Sequence, residues 1–136
     1  MAPTFPPPPT QSSSHPTRLP GLHLLGDQYN CCCEPQYFIN EALIASTCRQ
    51  LVKDAGLNPL NDLFHRFGAD GGVTGMVVLA ESHMSLHTWP ESRYVSIDVY
   101  VCNHSADNRH KAQQLFDALL AVFRATDPHL WRIDRI

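Results

Sequence analysis

Positive charge is not in excess in this chain. Ten lysines and arginines stand against thirteen aspartates and glutamates in 136 residues, a formal charge of −3. Proteins that grip a polyanion normally carry a basic surplus, so nucleic acid is excluded as the main partner. Long apolar runs are missing too: no stretch approaches the ~20 residues that a membrane-spanning helix requires. No basic segment followed by an apolar one marks a signal peptide at the start. The five cysteines are odd in number, Cys31, Cys32 and Cys33 are consecutive, and no CxxC pair has zinc-finger spacing. A disulfide framework is therefore not expected, and a reducing cytoplasm is the expected location. The eight histidines are scattered, and only His83 and His87 lie close. Four-residue spacing makes a metal face on a helix but not on a strand, so no metal site is expected.

What is present is uneven. Seven of the eleven prolines fall in the first twenty residues, where Arg18 is the single charged side chain. Proline removes backbone donors and fixes φ, so residues 1–20 are expected to form a disordered tail, with Pro6–Pro9 in polyproline II. A PxxP ligand for an SH3-like partner is the alternative there. The chain as a whole is 43% apolar, and the remaining residues 21–136 are of a size that suits one domain.

The patterning of that domain alternates between two periods. Gly21–Tyr29 reads as a first strand. From Asn40 the apolar residues Ile44, Cys48, Leu51, Val52 and Ala55 share a helical face, with Asn40 as cap and Gly56 as stop. Leu60–Phe67 reads as a strand, and Gly68–Gly72 (GADGG) as a turn. Val73–Glu81 is apolar almost throughout, which predicts a strand buried on both faces. Met84–Trp89 is a short strand stopped by Pro90. Tyr94–Cys102 alternates, with Val95, Ile97, Val99 and Val101 on one side. A second helix from about Asp107 carries the stripe Ala112, Leu115, Phe116, Leu119, Leu120 and Phe123. Leu130–Ile136 alternates again as an edge strand. The expected fold is α+β: a two-layer sandwich of a mainly antiparallel sheet with two helices on one face. A second copy of the chain is the economical cover for the other face.

Chemistry is concentrated between Ala80 and Cys102. This segment holds Glu81, Ser82, His83, Ser85, His87, Trp89, Glu91 and Cys102 on what should be adjacent strands. Neighbouring serine and histidine do not make a triad, there is no GxSxG elbow, and HxxxH lacks a zinc-protease glutamate.

The run Glu81-Ser82-His83, then His87-Thr88-Trp89-Pro90-Glu91, then Cys102 twenty residues after the serine, resembles the bacterial S-adenosylmethionine decarboxylase proenzymes. GLHLLGDQY, FHRF (Phe64–Phe67) and a GVTG turn (Gly72–Gly75) match in the same order, so the resemblance covers roughly residues 21–125. It implies self-cleavage between Glu81 and Ser82, in which the Ser82 hydroxyl attacks the Glu81 carbonyl. Elimination and hydrolysis then turn Ser82 into a pyruvoyl group. That group is implied to form a Schiff base with S-adenosylmethionine and to take up the electrons of decarboxylation, which ordinary side chains cannot do. The product is the aminopropyl donor of spermidine synthesis, and the working form is a homodimer of cleaved protomers.

The same resemblance assigns roles. Cys102 is the implied proton donor, where a buried inert thiol is the plain alternative. His87 assists processing, a proton-transfer role that imidazole side chains commonly fill. Thr74 stands where the family usually has serine; the hydroxyl is kept, with an extra methyl and a stiffer χ1. Phe67 offers an aromatic face to the sulfonium, Trp89 contributes to an adenine pocket, and Glu91 accepts from ribose hydroxyls. Core filling is the alternative for Phe67, and a solvated turn acid for Glu91. Two other functions remain open: a pyruvoyl-dependent decarboxylase of arginine or ornithine, and a non-catalytic paralogue acting as a binding partner. Some relatives respond to putrescine or magnesium, and no acidic cluster here compels either.

Overall fold

Asn40 opens the first long helix. Its side-chain oxygen accepts from the Leu43 amide at 3.0 Å, which satisfies one of the donors a helix start leaves unpaired. The helix Glu41–Asp54 follows, and Gly56 ends it at φ +78°, where any side chain would be strained. The computed structural model describes residues 19–103 and 106–135. The expectation of a disordered tail therefore falls almost entirely outside the described residues.

Among the described residues, six strands and three helices follow one another as β1 (Gly21–Cys31), α1 (Gln36–Ile39), α2 (Glu41–Asp54), β2 (Pro59–Arg66), β3 (Val73–Leu79), β4 (Ser82–Trp89), β5 (Tyr94–Val101), α3 (Arg109–Phe123) and β6 (Ala125–Arg135). The sheet order is β2-β3-β4-β5-β1-β6, and every neighbouring pair is antiparallel. Hairpins link β2 through β5 in sequence, while helical crossovers place β1 between β5 and β6. The α+β sandwich expected from the sequence is the fold observed. The single turn α1 is an addition that the apolar pattern did not signal.

Both long helices cover one face. Ala112, Leu115, Phe116, Leu119 and Phe123 of α3 are buried, facing the inward rows Leu22 and Leu24 of β1 and Val95, Ile97, Val99 and Val101 of β5. Ile44, Ala45, Cys48 and Val52 of α2 complete this layer. Each large side chain taken from water here contributes about 1.5–3 kcal/mol.

The opposite face is open, and this corrects the reading of β3. Its residues alternate between the two sides: Val73, Val77 and Leu79 are buried, whereas Met76 and Val78 are 40% and 41% exposed. The run of apolar residues predicts two-sided burial, but in the single chain only one side is covered. The GVTG segment is likewise no turn, since Val73–Gly75 already belongs to β3. The last strand begins at Ala125, before Pro128. Proline is tolerated there because β6 is an edge strand.

Candidate active site

The GADGG turn gives the site its shape. Gly71 and Gly72 lie so close to the chain that a Cβ would meet the Phe67 carbonyl oxygen at 1.5 Å and the Thr88 carbonyl oxygen at 1.8 Å. The Phe67 amide donates to the Gly72 carbonyl at 2.9 Å, closing the turn. Beneath it the buried Thr88 hydroxyl donates to the Phe38 carbonyl at 2.7 Å and accepts from the Val73 amide at 2.8 Å. One side chain thus ties β4 to β3 and to α1.

Against this turn lies a cleft of about 440 Å³ lined by Phe67, Gly71, Gly72, Thr74, His87, Thr88, Trp89 and Glu91. Thr74 and His87 are register partners on β3 and β4, and Thr74 Oγ1 is 3.1 Å from His87 Nδ1. When Nδ1 carries the proton and donates to that hydroxyl, Nε2 keeps a free lone pair for taking a proton. The Trp89 indole lies 5.9 Å from the His87 ring, and Glu91 sits in the 3₁₀ turn Pro90–Ser92 that ends β4. Phe67 is 59% exposed and meets His65 edge-on; it is therefore not core filling in the single chain.

Glu81, Ser82 and Cys102 lie elsewhere. Leu79 and Ser82 are register partners, so Ala80 and Glu81 form a two-residue turn and Ser82 is the first residue of β4. Ser82 also pairs with Val101, the last residue of β5. Cys102 follows immediately, half-buried, its carbonyl accepting from Asn108 Nδ2 at 3.1 Å. Five residue steps of extended strand separate Ser82 from His87, about 17 Å at 3.3–3.4 Å per step. The structure therefore gathers Phe67, Thr74, His87, Trp89 and Glu91 into one cleft, and sets Glu81, Ser82 and Cys102 at the far end of the same strands.

Several residues of the cleft's surroundings were not read from the sequence. Thr88 stands in the His87–Glu91 run without an assigned role, although a hydroxyl on an inward row signals a buried hydrogen bond. Arg93 has φ +47°, and its guanidinium donates to the carbonyls of Cys31 at 2.7 Å and Cys33 at 2.9 Å. Arg124 donates to the Cys32 carbonyl at 2.8 Å. The three cysteines are thus held through their backbone. Burial pushes the Cys31 thiol up to about 11 and raises that of Cys33 as well. Among the described residues no group of three or more His, Cys, Asp and Glu side chains is placed to hold a metal ion.

Comparison with known proteins decides the family. A family model described as S-adenosylmethionine decarboxylase matches residues 22–136. The chain belongs to the S-adenosylmethionine decarboxylase family. A relative from Synechococcus sp. (strain WH7803), named S-adenosylmethionine decarboxylase proenzyme, is 38% identical over 105 residues, 77% of this chain and 80% of the relative. One of the same name from Thermotoga maritima is 36% identical over 101 residues, 74% of this chain and 75% of the relative. The crystal structure of the adenosylmethionine decarboxylase from Aquifex aeolicus VF5 superposes with a TM-score of 0.76 at 28% identity, covering 88% of this chain and 92% of that one. The resemblance read from the motifs is confirmed, and with it the enzyme class: a decarboxylase of S-adenosylmethionine.

Proposed function

We propose that this member of the S-adenosylmethionine decarboxylase family cleaves itself between Glu81 and Ser82 and works as a homodimer whose two sites are each built from both chains. The observation that carries this reading is the separation of Ser82 from His87 along β4, in a sheet with one face uncovered.

Cleavage at Ser82 suits its place. The Ser82 hydroxyl attacks the Glu81 carbonyl carbon, the Ser82 nitrogen leaves as an amine, and an ester replaces the amide. Removal of the Ser82 Cα proton expels the Glu81 carboxylate from Cβ, and hydrolysis of the resulting enamine releases ammonia. The break falls at a two-residue turn, so it leaves β3 and β4 paired and makes residue 82 a chain end, free to turn. The pyruvoyl group formed there supplies a carbonyl that takes up the electron pair left by departing CO₂. Cys102, one residue past Ser82's partner on β5, holds the proton that replaces CO₂.

The residue that takes the Cα proton is His87, and it comes from the partner. Within one chain it lies about 17 Å from Ser82 by strand geometry, beyond any proton transfer. The uncovered face carries Leu63 at 75% exposure, with Met76, Val78, Trp131 and Ile133 between 40% and 49%. An apolar area of this kind suits a self-complementary, two-fold contact. A two-fold axis between the sheets and across the strands sets one copy's Ser82–Cys102 end opposite the other's Thr74–His87 cleft. Phe67 then faces the sulfonium, Trp89 walls the adenine side, and Glu91 accepts from the ribose hydroxyls. A cleft that gathers these three together favours a nucleoside-bearing substrate over arginine or ornithine. The reducing cytoplasm suits the five free thiols.

Intact mass tests the proposal. Purified protein is expected as two chains, residues 1–81 and 82–136, and carboxyl-labelled S-adenosylmethionine is expected to release CO₂ where labelled arginine and ornithine do not. Ser82→Ala should remain one 15.2 kDa chain without activity. Full activity from an uncut chain would overturn the reading.

A further inference from the structure

What holds the Trp89 indole in place lies outside the cleft it lines. Its ring stacks on Tyr94, its register partner on β5, with centroids 4.9 Å apart and planes 24° apart. Tyr94 in turn stacks on Tyr29 of β1 at 4.9 Å and 16°, and Tyr29 meets His129 of β6 edge-on at 5.2 Å. Four rings from four adjacent strands form a continuous ladder across the outer face, and only the first reaches the cleft.

The ladder is pinned at its second ring. The Tyr94 hydroxyl donates to Asp27 Oδ1 at 2.5 Å, from β1 two residues before Tyr29 and on the same face. Burial, the hydrogen bond to Asp27 and the charge of that carboxylate raise the phenol above its ordinary value. The phenol therefore keeps its proton, and with it the hydrogen bond to Asp27, through the neutral range. A stacked ring with its hydroxyl tethered has neither of its two side-chain torsions free, so the plane of Tyr94 is fixed before any ligand arrives. The plane of Trp89 is set by that stack, with the His87 ring 5.9 Å from the indole. Pre-set walls spare a ligand the cost of ordering them.

We propose that Tyr94, tethered by Asp27, is the positioning residue for the Trp89 wall of the substrate cleft, and that this pair sets substrate affinity rather than turnover. The inference rests on the reading of Trp89 as a substrate-facing wall and adds what orients it. Aromatic pairs in this geometry contribute enough for about a three- to tenfold effect on binding.

The test compares Tyr94→Leu, Tyr94→Phe, Asp27→Asn and Trp89→Leu in the processed enzyme. Tyr94→Leu is expected to raise KM about three- to tenfold with kcat within about twofold. Tyr94→Phe, which keeps the ring and loses the tether, should recover most of that loss, and Asp27→Asn should resemble Tyr94→Phe. A second readout needs no turnover. In a Ser82→Ala, Trp131→Phe chain, Trp89 is the sole indole, and titration with S-adenosylmethionine follows its fluorescence. Adding Tyr94→Leu should raise the apparent Kd by the same factor. If Trp89→Leu raises KM and Tyr94→Leu leaves KM and Kd unchanged, the positioning role is overturned and the cleft reading stands. If neither variant alters KM, the cleft reading falls and takes this inference with it. A fall in kcat at constant KM, tracking a lower melting temperature, would make Tyr94 a purely structural residue and also overturn the proposal.

Discussion

Thr74 Oγ1 and His87 Nδ1 face each other across β3 and β4 at 3.1 Å. The hydroxyl holds the ring's orientation and can accept from Nδ1–H, the tautomer that leaves the Nε2 lone pair free. Thr74→Ser keeps that acceptor and should process at close to the parent rate, or faster through its freer χ1. Thr74→Val keeps the shape and removes the acceptor. Loss of one such hydrogen bond at the step it supports should slow self-cleavage about tenfold. The appearance of the 82–136 chain over time, followed by mass spectrometry, measures both.

The separation of Ser82 from His87 makes a sharper prediction for the assembled enzyme. A chain carrying Cys102→Ala and a chain carrying His87→Ala should each be inactive alone. Mixed within one dimer, the His87→Ala chain supplies Ser82 and Cys102 while its partner supplies Thr74 and His87. One of the two sites is then complete. Co-expression with random pairing should restore about a quarter of the parent's activity, since about half the dimers are mixed and each has one working site. Activity that stays at the level of the single variants would mean each site is built within one chain.

The strands with clean alternation were legible because one side of each meets the helices and the other does not. Tyr94–Val101 is the plainest: its four inward residues are all buried and its four outward residues are not. Val73–Leu79 misled because its outward residues, Met76 and Val78, are apolar as well. Apolar residues on an open face look the same in sequence as residues buried on both sides. The short α1 was hidden because four residues are too few for a helical period to show. For the site, the family resemblance named Ser82, His87, Cys102, Thr74, Phe67, Trp89 and Glu91 as candidates together. Their division between two ends of the sheet could not be read, because spacing of five or twenty residues says nothing about distance until the register is known. Asp27 and Tyr94 are 67 residues apart and meet only because β1 inserts beside β5.

Two packing contacts beneath the cleft should govern stability. Thr88→Val leaves the Val73 amide and the Phe38 carbonyl without their partner in a buried position, which should cost about 2–3 kcal/mol. Gly75 lies under the Phe64 ring, where a Cβ would come within 2.2 Å. Gly75→Ala must displace that ring from the helix-facing side and should cost about 1–3 kcal/mol. Either change is expected to lower the melting temperature by several degrees, on the order of 5–10 °C for a domain of this size. Unchanged thermal unfolding of Thr88→Val would show that water satisfies both groups.

The buried thiols give the fold a dependence on alkaline pH whose sign is fixed. Burial raises Cys48 to about 12 and Cys31 to about 11, from an ordinary value near 9 in the unfolded chain. Between these limits the unfolded chain has lost the thiol protons while the folded chain retains them. Stability therefore falls as pH rises, because the state that binds more protons is disfavoured. Below about pH 8 both states keep the protons, and these groups contribute no slope. Thermal unfolding should thus be insensitive to the thiols from pH 6 to 8 and shift downward between roughly pH 9 and 11. Cys48→Ala should flatten part of that descent, although it lowers stability at neutral pH by leaving space in the core. Alkylation at pH 8 provides the second measure: the exposed Cys32 should react first, while Cys31, Cys33 and Cys48 react only as the protein unfolds. A Cys48→Ala variant with an undiminished alkaline slope would assign the effect to the tyrosines instead, of which Tyr94 is the group held protonated by burial and by its hydrogen bond to Asp27.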